Sequence, residues 1–231
     1  MTQLDSINRV LPVFKPVGMS SHHVIRIFKK QADYKGKIGH AGTLDVFASG
    51  LLLLLLGKAT KQFDYWQTQT KTYVSGSRLG MASETLDVEG NLKVQSNVFS
   101  PSADQIRGVL PKFIGEIEQA VPTYSAAKFQ GQPFYKYARQ GKIIEKSKKV
   151  RIDKIELVAC QYPLVTLEIQ CGSGTYIRQL AWDIFQSLGI DSFLYHLTRT
   201  QVGEVNLAQA APISHFNNQK WQDFLIDIKA S

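Results

Sequence analysis

Cysteine is nearly absent from this 231-residue sequence, which holds only Cys160 and Cys171. Neither belongs to a C-x-x-C pair, so there is no disulfide framework and no cysteine-based zinc site, and both thiols are expected in the core. The longest unbroken apolar run, residues 51–56, is far too short to cross a bilayer. Met1-Thr2-Gln3-Leu4-Asp5 lacks the basic-then-apolar order of a secretory signal, and a cytoplasmic protein is expected. Nucleotide and metal signatures are missing too. No G-x-G-x-x-G stands at a strand–helix junction, Gly57-Lys58-Ala59-Thr60 lacks the spacing of a phosphate loop, and no H-E-x-x-H occurs. His22-His23 reads as cap and surface rather than as a metal pair. Redox cofactors, nucleotide cofactors and metals find no support, and no cofactor is expected. Repeats, low-complexity tracts and Pro/Gly/Ser-rich linkers are also absent, which favours one continuous domain over residues 1–231.

Positive charge is in excess, with 27 Lys and Arg against 19 Asp and Glu, a net +8. Such a balance favours a polyanionic partner, although a solvated basic surface has the same composition. The charge is concentrated. Lys128, Lys136, Arg139, Lys142, Lys146, Lys148, Lys149 and Arg151 share residues 128–151 with Phe129, Phe134, Tyr135 and Tyr137, and Glu145 is the one acid there. Cations that neutralise phosphates beside rings that stack on unpaired bases suit RNA. The alternative is a solvated loop whose rings cover the core.

A coarse reading gives an α+β chain without regular β-α-β alternation. Residues 9–14 look extended, and Lys15-Pro16-Val17-Gly18-Met19 is a turn signal. Ser20 or Ser21 then caps a helix that carries Val24, Ile27 and Phe28 on one face. A glycine-punctuated loop over residues 36–50 feeds the six leucines, a short all-apolar run that reads as a buried strand. Residues 71–80 read as another strand. Ser102 and Gln105 have capping-box spacing before Ile106, Val109 and Leu110, with Pro111 ending or bending that helix. Val165, Leu167, Ile169 and Cys171 alternate as a half-buried strand. After Gly172-Ser173-Gly174 a helix opens near Thr175, buries Ile177, Leu180, Ala181, Ile184, Phe185 and Leu188, and stops at Gly189. Trp221, Phe224, Leu225 and Ile228 have helical spacing, so the tail is expected to pack as one amphipathic helix.

Two loops carry residues that packing does not require. In residues 39–50, Asp45 precedes the buried strand among glycines that let the backbone approach a ligand; an Asp in such a loop is also an ordinary turn former. In Gly174-Thr175-Tyr176-Ile177-Arg178, an Arg in the first turn of a helix opposes the helix dipole. It would be excused by an anion: a carboxylate such as Asp45, a phosphate, or a neighbouring surface acid. An Arg partner keeps a carboxylate ionised where a substrate excludes water.

These loops carry a resemblance. Lys15-Pro16-Val17-Gly18-Met19-Ser20-Ser21 is similar to the K-P-x-G-x-[ST]-S motif, and residues 39–50 to the G-H-x-G-[TA]-L-D-P-x-A-[TS]-G signature, of TruB-type pseudouridine synthases. Lys71-Thr72-Tyr73 resembles their K-x-Y, with Arg78-Leu79-Gly80 following. Pro122-Thr123-Tyr124-Ser125-Ala126-Ala127-Lys128 and Tyr137-Ala138-Arg139-Gln140-Gly141 resemble the segment that grips RNA. Residues 174–178 match G-T-Y-I-R.

The resemblance implies an α+β pseudouridine synthase fold, a long mixed or antiparallel sheet flanked by helices, with an RNA-gripping insertion over about residues 120–151. It implies isomerisation of a flipped-out uridine at position 55 of the tRNA T-loop, by a monomer without metal or cofactor. Asp45 would be the catalytic carboxylate, Arg178 its ion-pair partner, and Tyr73 a catalytic ring stacked on the target base and a candidate general base. His40, Tyr176 and Leu197 would shape the pocket or hold RNA, and Lys15 would support the active-site loop. The sequence departs from the pattern at Val46, Phe47, Pro133, Gly172, Ser173 and Thr198, where phosphate contacts are expected to weaken. Residues 204–231 are too few for the C-terminal PUA domain common among such enzymes. Recognition is therefore expected to rest on the T-arm, with an isolated T-arm hairpin reacting nearly as well as whole tRNA.

Overall fold

The computed structural model describes residues 7–96, 98–142 and 144–228, so the N-terminal residues read above for a signal lie outside it. In chain order the strands are β1 (Val10–Lys15), β2 (Ile38–Ala41), β3 (Ser49–Leu56), β4 (Lys71–Leu79), β5 (Met81–Ser83), β6 (Leu92–Val94), β7 (Gly115–Ala120), β8 (Lys128–Phe129), β9 (Gln132–Pro133), β10 (Ser147–Gln161), β11 (Leu164–Cys171), β12 (Ser192–Val202) and β13 (Val205–Asn206). The α-helices are α1 (Ser21–Gln31), α2 (Phe63–Thr68), α3 (Ala103–Val109), α4 (Phe134–Ala138) and α5 (Ile177–Gln186). The chain forms two compact units, Met1–Tyr73 with Leu197–Ser231, and Val74–His196. Among the described residues no helix is long and apolar enough to cross a membrane.

The first unit is organised by β3. It runs antiparallel to β1, from Val10 opposite Leu55 to Lys15 opposite Gly50, and parallel to β12 at Ser49 and Gly50. β2 pairs with its second half, a short strand within the segment expected to be a loop, because Gly39 and His40 interrupt any apolar alternation. All eight β3 residues are buried. Leu52, Leu54 and Leu56 enter a core with Leu11, Val13, Val24 and Phe28, whereas Leu51, Leu53 and Leu55 enter another with Val10, Trp66 and Val202. Each buried leucine contributes about 1.5–3 kcal/mol.

Helix α1 starts as expected. Ser20 is the N-cap, accepting from the His23 backbone N–H at 3.1 Å, and Val24, Ile25 and Phe28 are buried. The tail covering this helix is not the single amphipathic helix expected. It forms 3-10 turns over Ile213–Asn218 and Lys220–Phe224, separated by Gln219 in the left-handed region at φ 62°. Ile226 then exchanges both backbone hydrogen bonds with Val10, at 3.0 and 2.9 Å, which only an extended chain can do. The apolar spacing still reaches the core: Trp221 is fully buried, edge-on to Phe28 at 4.9 Å.

In the second unit the strand order is β4-β11-β10-β7. β10 is its longest strand, and bulges at Ile152/Lys154 and Leu157/Ala159 break the period-two signal that would have revealed it. α3 has the expected capping box, with Ser102 Oγ accepting from Gln105 N at 3.2 Å, and passes at Pro111 into a 3-10 turn. α5 ends where Gly189, at φ 73°, turns the chain so that Ile190 N–H bonds the Phe185 carbonyl. Phe134 in α4 is buried, so it belongs to the core and not to an RNA-facing set, whereas Phe129 is exposed and Tyr135 and Tyr137 half-buried. Neither cysteine is in a disulfide; Cys171 is buried in the core as expected, whereas Cys160 is only half-buried.

Candidate active site

Asp45 sits in the loop between β2 and β3, half-buried between Leu44 and Phe47, which anchor it in the interior. The backbone around it is tied down from three sides. Ser21, the first residue of α1, accepts from Leu44 N–H at 3.0 Å and donates to the Leu44 carbonyl at 3.4 Å. The fully buried Lys15 ammonium donates to the carbonyls of Pro16, Met19 and Val46 at 3.0, 2.6 and 3.5 Å. Gly18 N–H also bonds the Val46 carbonyl, at 2.8 Å. The motif Lys15-Pro16-Val17-Gly18-Met19 thus builds a cradle for residues 44–46. Val46 takes part through its carbonyl while its side chain is exposed, so the residue type there is not what the cradle reads.

Arg199 holds the third side and was not singled out in the sequence. The residue is 1% exposed, and its guanidinium donates from Nε to the Leu51 carbonyl at 2.8 Å and from Nη2 to the Gly42 carbonyl at 2.9 Å. A side chain at Gly42, where φ is +78°, would meet Nη1 of this same group. The available signal was the alternation of β12, which places Arg199 on the inward side with Leu197. Thr198, one of the departures, bonds Ser49 through the two hydroxyls at 2.8 Å.

His40 on β2 lies at a cleft of about 420 Å³ lined by His22, His40, Gly42, Thr43, Phe63 and Gln67. Burial, then Arg199 and His22, lower its pKa below the usual 6.5, so the ring is neutral at pH 7. Tyr73 on β4 and Leu197 on β12 are both buried.

The second unit carries Tyr176 and Arg178. Arg178 is not in a surface salt bridge, one of the alternatives left open by its place in the first turn of α5. Its side chain is 6% exposed and that of Asp87, to which Nη1 donates at 3.1 Å, is 1% exposed. Nη2 donates to the Tyr124 carbonyl at 2.6 Å. Asp87 is itself fixed by Thr85 Oγ1 and by Glu89 N–H at 3.0 Å. No local pattern marks Asp87, because its partner lies 91 residues away. Lys148 is lowered in pKa by burial and by Lys146. A cleft of about 620 Å³ beside Tyr124 is lined by Leu86, Pro122, Lys146, Gln179 and Trp182. Among the described residues no cluster of three His, Cys, Asp or Glu could hold a metal.

The mixed α+β fold has solved counterparts. In a Cbf5-Nop10-Gar1 complex the matching chain gives a TM-score of 0.74 at 24% identity, over 97% of this chain and 60% of that one. The archaeal box H/ACA sRNP Nop10-Cbf5 complex gives 0.68 at 24%, over 94% and 55%. This chain therefore spans less than two thirds of those chains, and at such identity the likeness shows the fold alone. Residues 26–177 match TruB family pseudouridylate synthase (N terminal domain). The tRNA pseudouridine synthase B of Caldicellulosiruptor saccharolyticus is 40% identical over 88% of this chain and 70% of its own. That of Clostridium acetobutylicum is 39% identical over 95% and 75%. The chain belongs to the TruB family of pseudouridylate synthases.

Proposed function

We propose that the chain converts uridine 55 in the T-loop of tRNA to pseudouridine, with Asp45 as the catalytic carboxylate. It is an isomerase of uridine in tRNA. The reaction breaks the C–N glycosidic bond, turns the base and rejoins it to the sugar through carbon; a proton leaves that carbon and the freed ring nitrogen gains one. No atom is gained or lost, and no electron acceptor is needed. The uridine must leave the stack first, because its glycosidic bond is inaccessible within a folded loop.

The observation that carries this reading is the cradle around Asp45. A loop whose carbonyls are held by Lys15 and Arg199, and whose Leu44 is held by Ser21, keeps one carboxylate in place while substrate arrives. Arg178 is the ion-pair partner of that carboxylate during the reaction, and Tyr73 stacks on the target base. His40, Tyr176 and Leu197 shape the pocket. Neutral His40 offers a ring face and a hydrogen-bonding nitrogen without adding charge beside Asp45.

The test incubates the protein with unmodified tRNA and maps pseudouridine by carbodiimide primer extension. One stop at position 55 is expected. Asp45→Asn should abolish it while tRNA binding stays within a few fold, since the change is nearly isosteric and removes a negative charge. Turnover above about a hundredth of wild type in that variant would refute the role of Asp45. Binding without conversion by the unaltered chain would make it a carrier of RNA instead.

A further inference from the structure

Strands β7 and β10 pair so that Gln119 lies directly opposite Lys148. Directly opposed residues project to the same face of a sheet, and both of these reach the same target. The Gln119 amide, fully buried, accepts from Tyr176 N–H at 2.8 Å and donates to the Tyr176 carbonyl at 3.1 Å. Its two ends occupy both backbone groups of one residue, as a neighbouring strand would. Lys148 places its ammonium 4.2 Å from the centroid of the Tyr176 ring and donates to the Gly174 carbonyl. Tyr176 precedes α5 without a side-chain cap of its own, and Arg178 follows in the first turn. Backbone, ring and preceding turn of Tyr176 are therefore all held from one rung of the β7–β10 ladder.

We infer that Gln119 and Lys148 are positioning residues that preset Tyr176 for the substrate nucleotide, the amide fixing its backbone and the ammonium its ring. The inference rests on the reading of Tyr176 as a substrate contact. A tyrosine side chain free to rotate presents the right ring face only part of the time. A cation over one face selects a single rotamer and leaves the opposite face for a base. Lys148 acts through the ring, so its contribution must vanish when the ring is removed. A lysine that merely attracted phosphate would contribute with or without it.

The experiment measures KM and kcat for tRNA in a double-mutant cycle of Lys148→Met and Tyr176→Leu, with Lys148→Arg alongside. Met keeps the length of the side chain at a half-buried strand position. Gln119 is left intact, since its loss would orphan two backbone groups. Lys148→Met is expected to raise KM about tenfold with kcat within about twofold, the signature of lost uniform binding. Lys148→Arg should restore KM, because a guanidinium also sits on aromatic faces. In the Tyr176→Leu background, Lys148→Met should change KM by less than about twofold. Equal losses with and without the ring, or an Arg variant no better than Met, would overturn the proposal. If Tyr176→Leu alone keeps wild-type KM, the substrate contact itself falls, and the proposal with it. A damaged Tyr176→Leu beside an additive Lys148→Met sinks only the pairing. Should the Met variant melt early, Lys148→Gln repeats the comparison.

Discussion

Arg178 and Asp87 show what burial does to a charged pair. Neither can rely on water, so each depends on the hydrogen bonds that fix it: the Tyr124 carbonyl for the guanidinium, Thr85 and Glu89 for the carboxylate. Arg178→Lys is expected to cut turnover at least a hundredfold, because one ammonium cannot serve both Asp87 and the Tyr124 carbonyl as the planar fork does, nor the carboxylate proposed as its partner during the reaction. Near-normal turnover would show that only the charge matters. The odd place of Arg178 at a helix start was legible; Asp87 was not, since contacts between distant residues leave no local mark. His40 makes a second residue-scale prediction. Its pKa is lowered on folding, so the unfolded chain binds its proton more readily. The stability it supports is complete above about pH 6.5 and is lost as the pH falls below that value. Urea unfolding of His40→Gln should show a flatter pH profile below about pH 6.5. An unchanged profile would mean that His40 titrates as freely folded as unfolded.

Elements with a strong local signal were read correctly: α1 from Ser20 and its apolar face, α3 from its capping box, and β3 from its leucines. The failures have physical causes. Bulges hide β10, and a bridge from Ile226 to Val10 pulls the tail out of helical geometry although its apolar spacing fits a helix. Tertiary pairing outweighs a few tenths of a kcal/mol of helix propensity per residue. The asymmetry between cap and core can be measured by urea unfolding. Ser102→Ala should cost about 1 kcal/mol, the worth of an N-cap. Trp221→Ala should cost about 3–5 kcal/mol, because the ring packs against Phe28 in the first unit's core. A Trp221→Ala cost no greater than that of the cap would mean the tail is only loosely attached.

The whole chain carries a net +8, yet its cations fall into two populations. Lys15, Lys71, Arg178 and Arg199 are buried and engaged by carbonyls or a carboxylate. They neutralise no phosphate. Lys128, Lys136, Arg139 and Lys142 are exposed and free to release counterions when RNA binds. The dependence of tRNA affinity on salt should therefore be shallower than the total charge suggests. Lys136→Gln with Lys142→Gln is expected to reduce the slope of log K against log salt by about 1 to 2. An unchanged slope in the double variant would place the RNA elsewhere on the surface.

A run of six identical leucines has a cost that burial does not reveal: it contains no information about alignment. Sliding β3 by two residues would present the same side chains to the same cores and carry the Asp45 loop about 7 Å along the sheet. Two glycines at the ends of the run prevent this. A side chain at Gly50, φ +110°, would collide with the Arg199 carbonyl, and one at Gly57, φ +58°, with the Ile7 carbonyl. Only the native alignment puts a residue without a β-carbon at both places. The address of the proposed catalytic carboxylate is thus written by two missing methyl groups that bracket an otherwise unmarked strand.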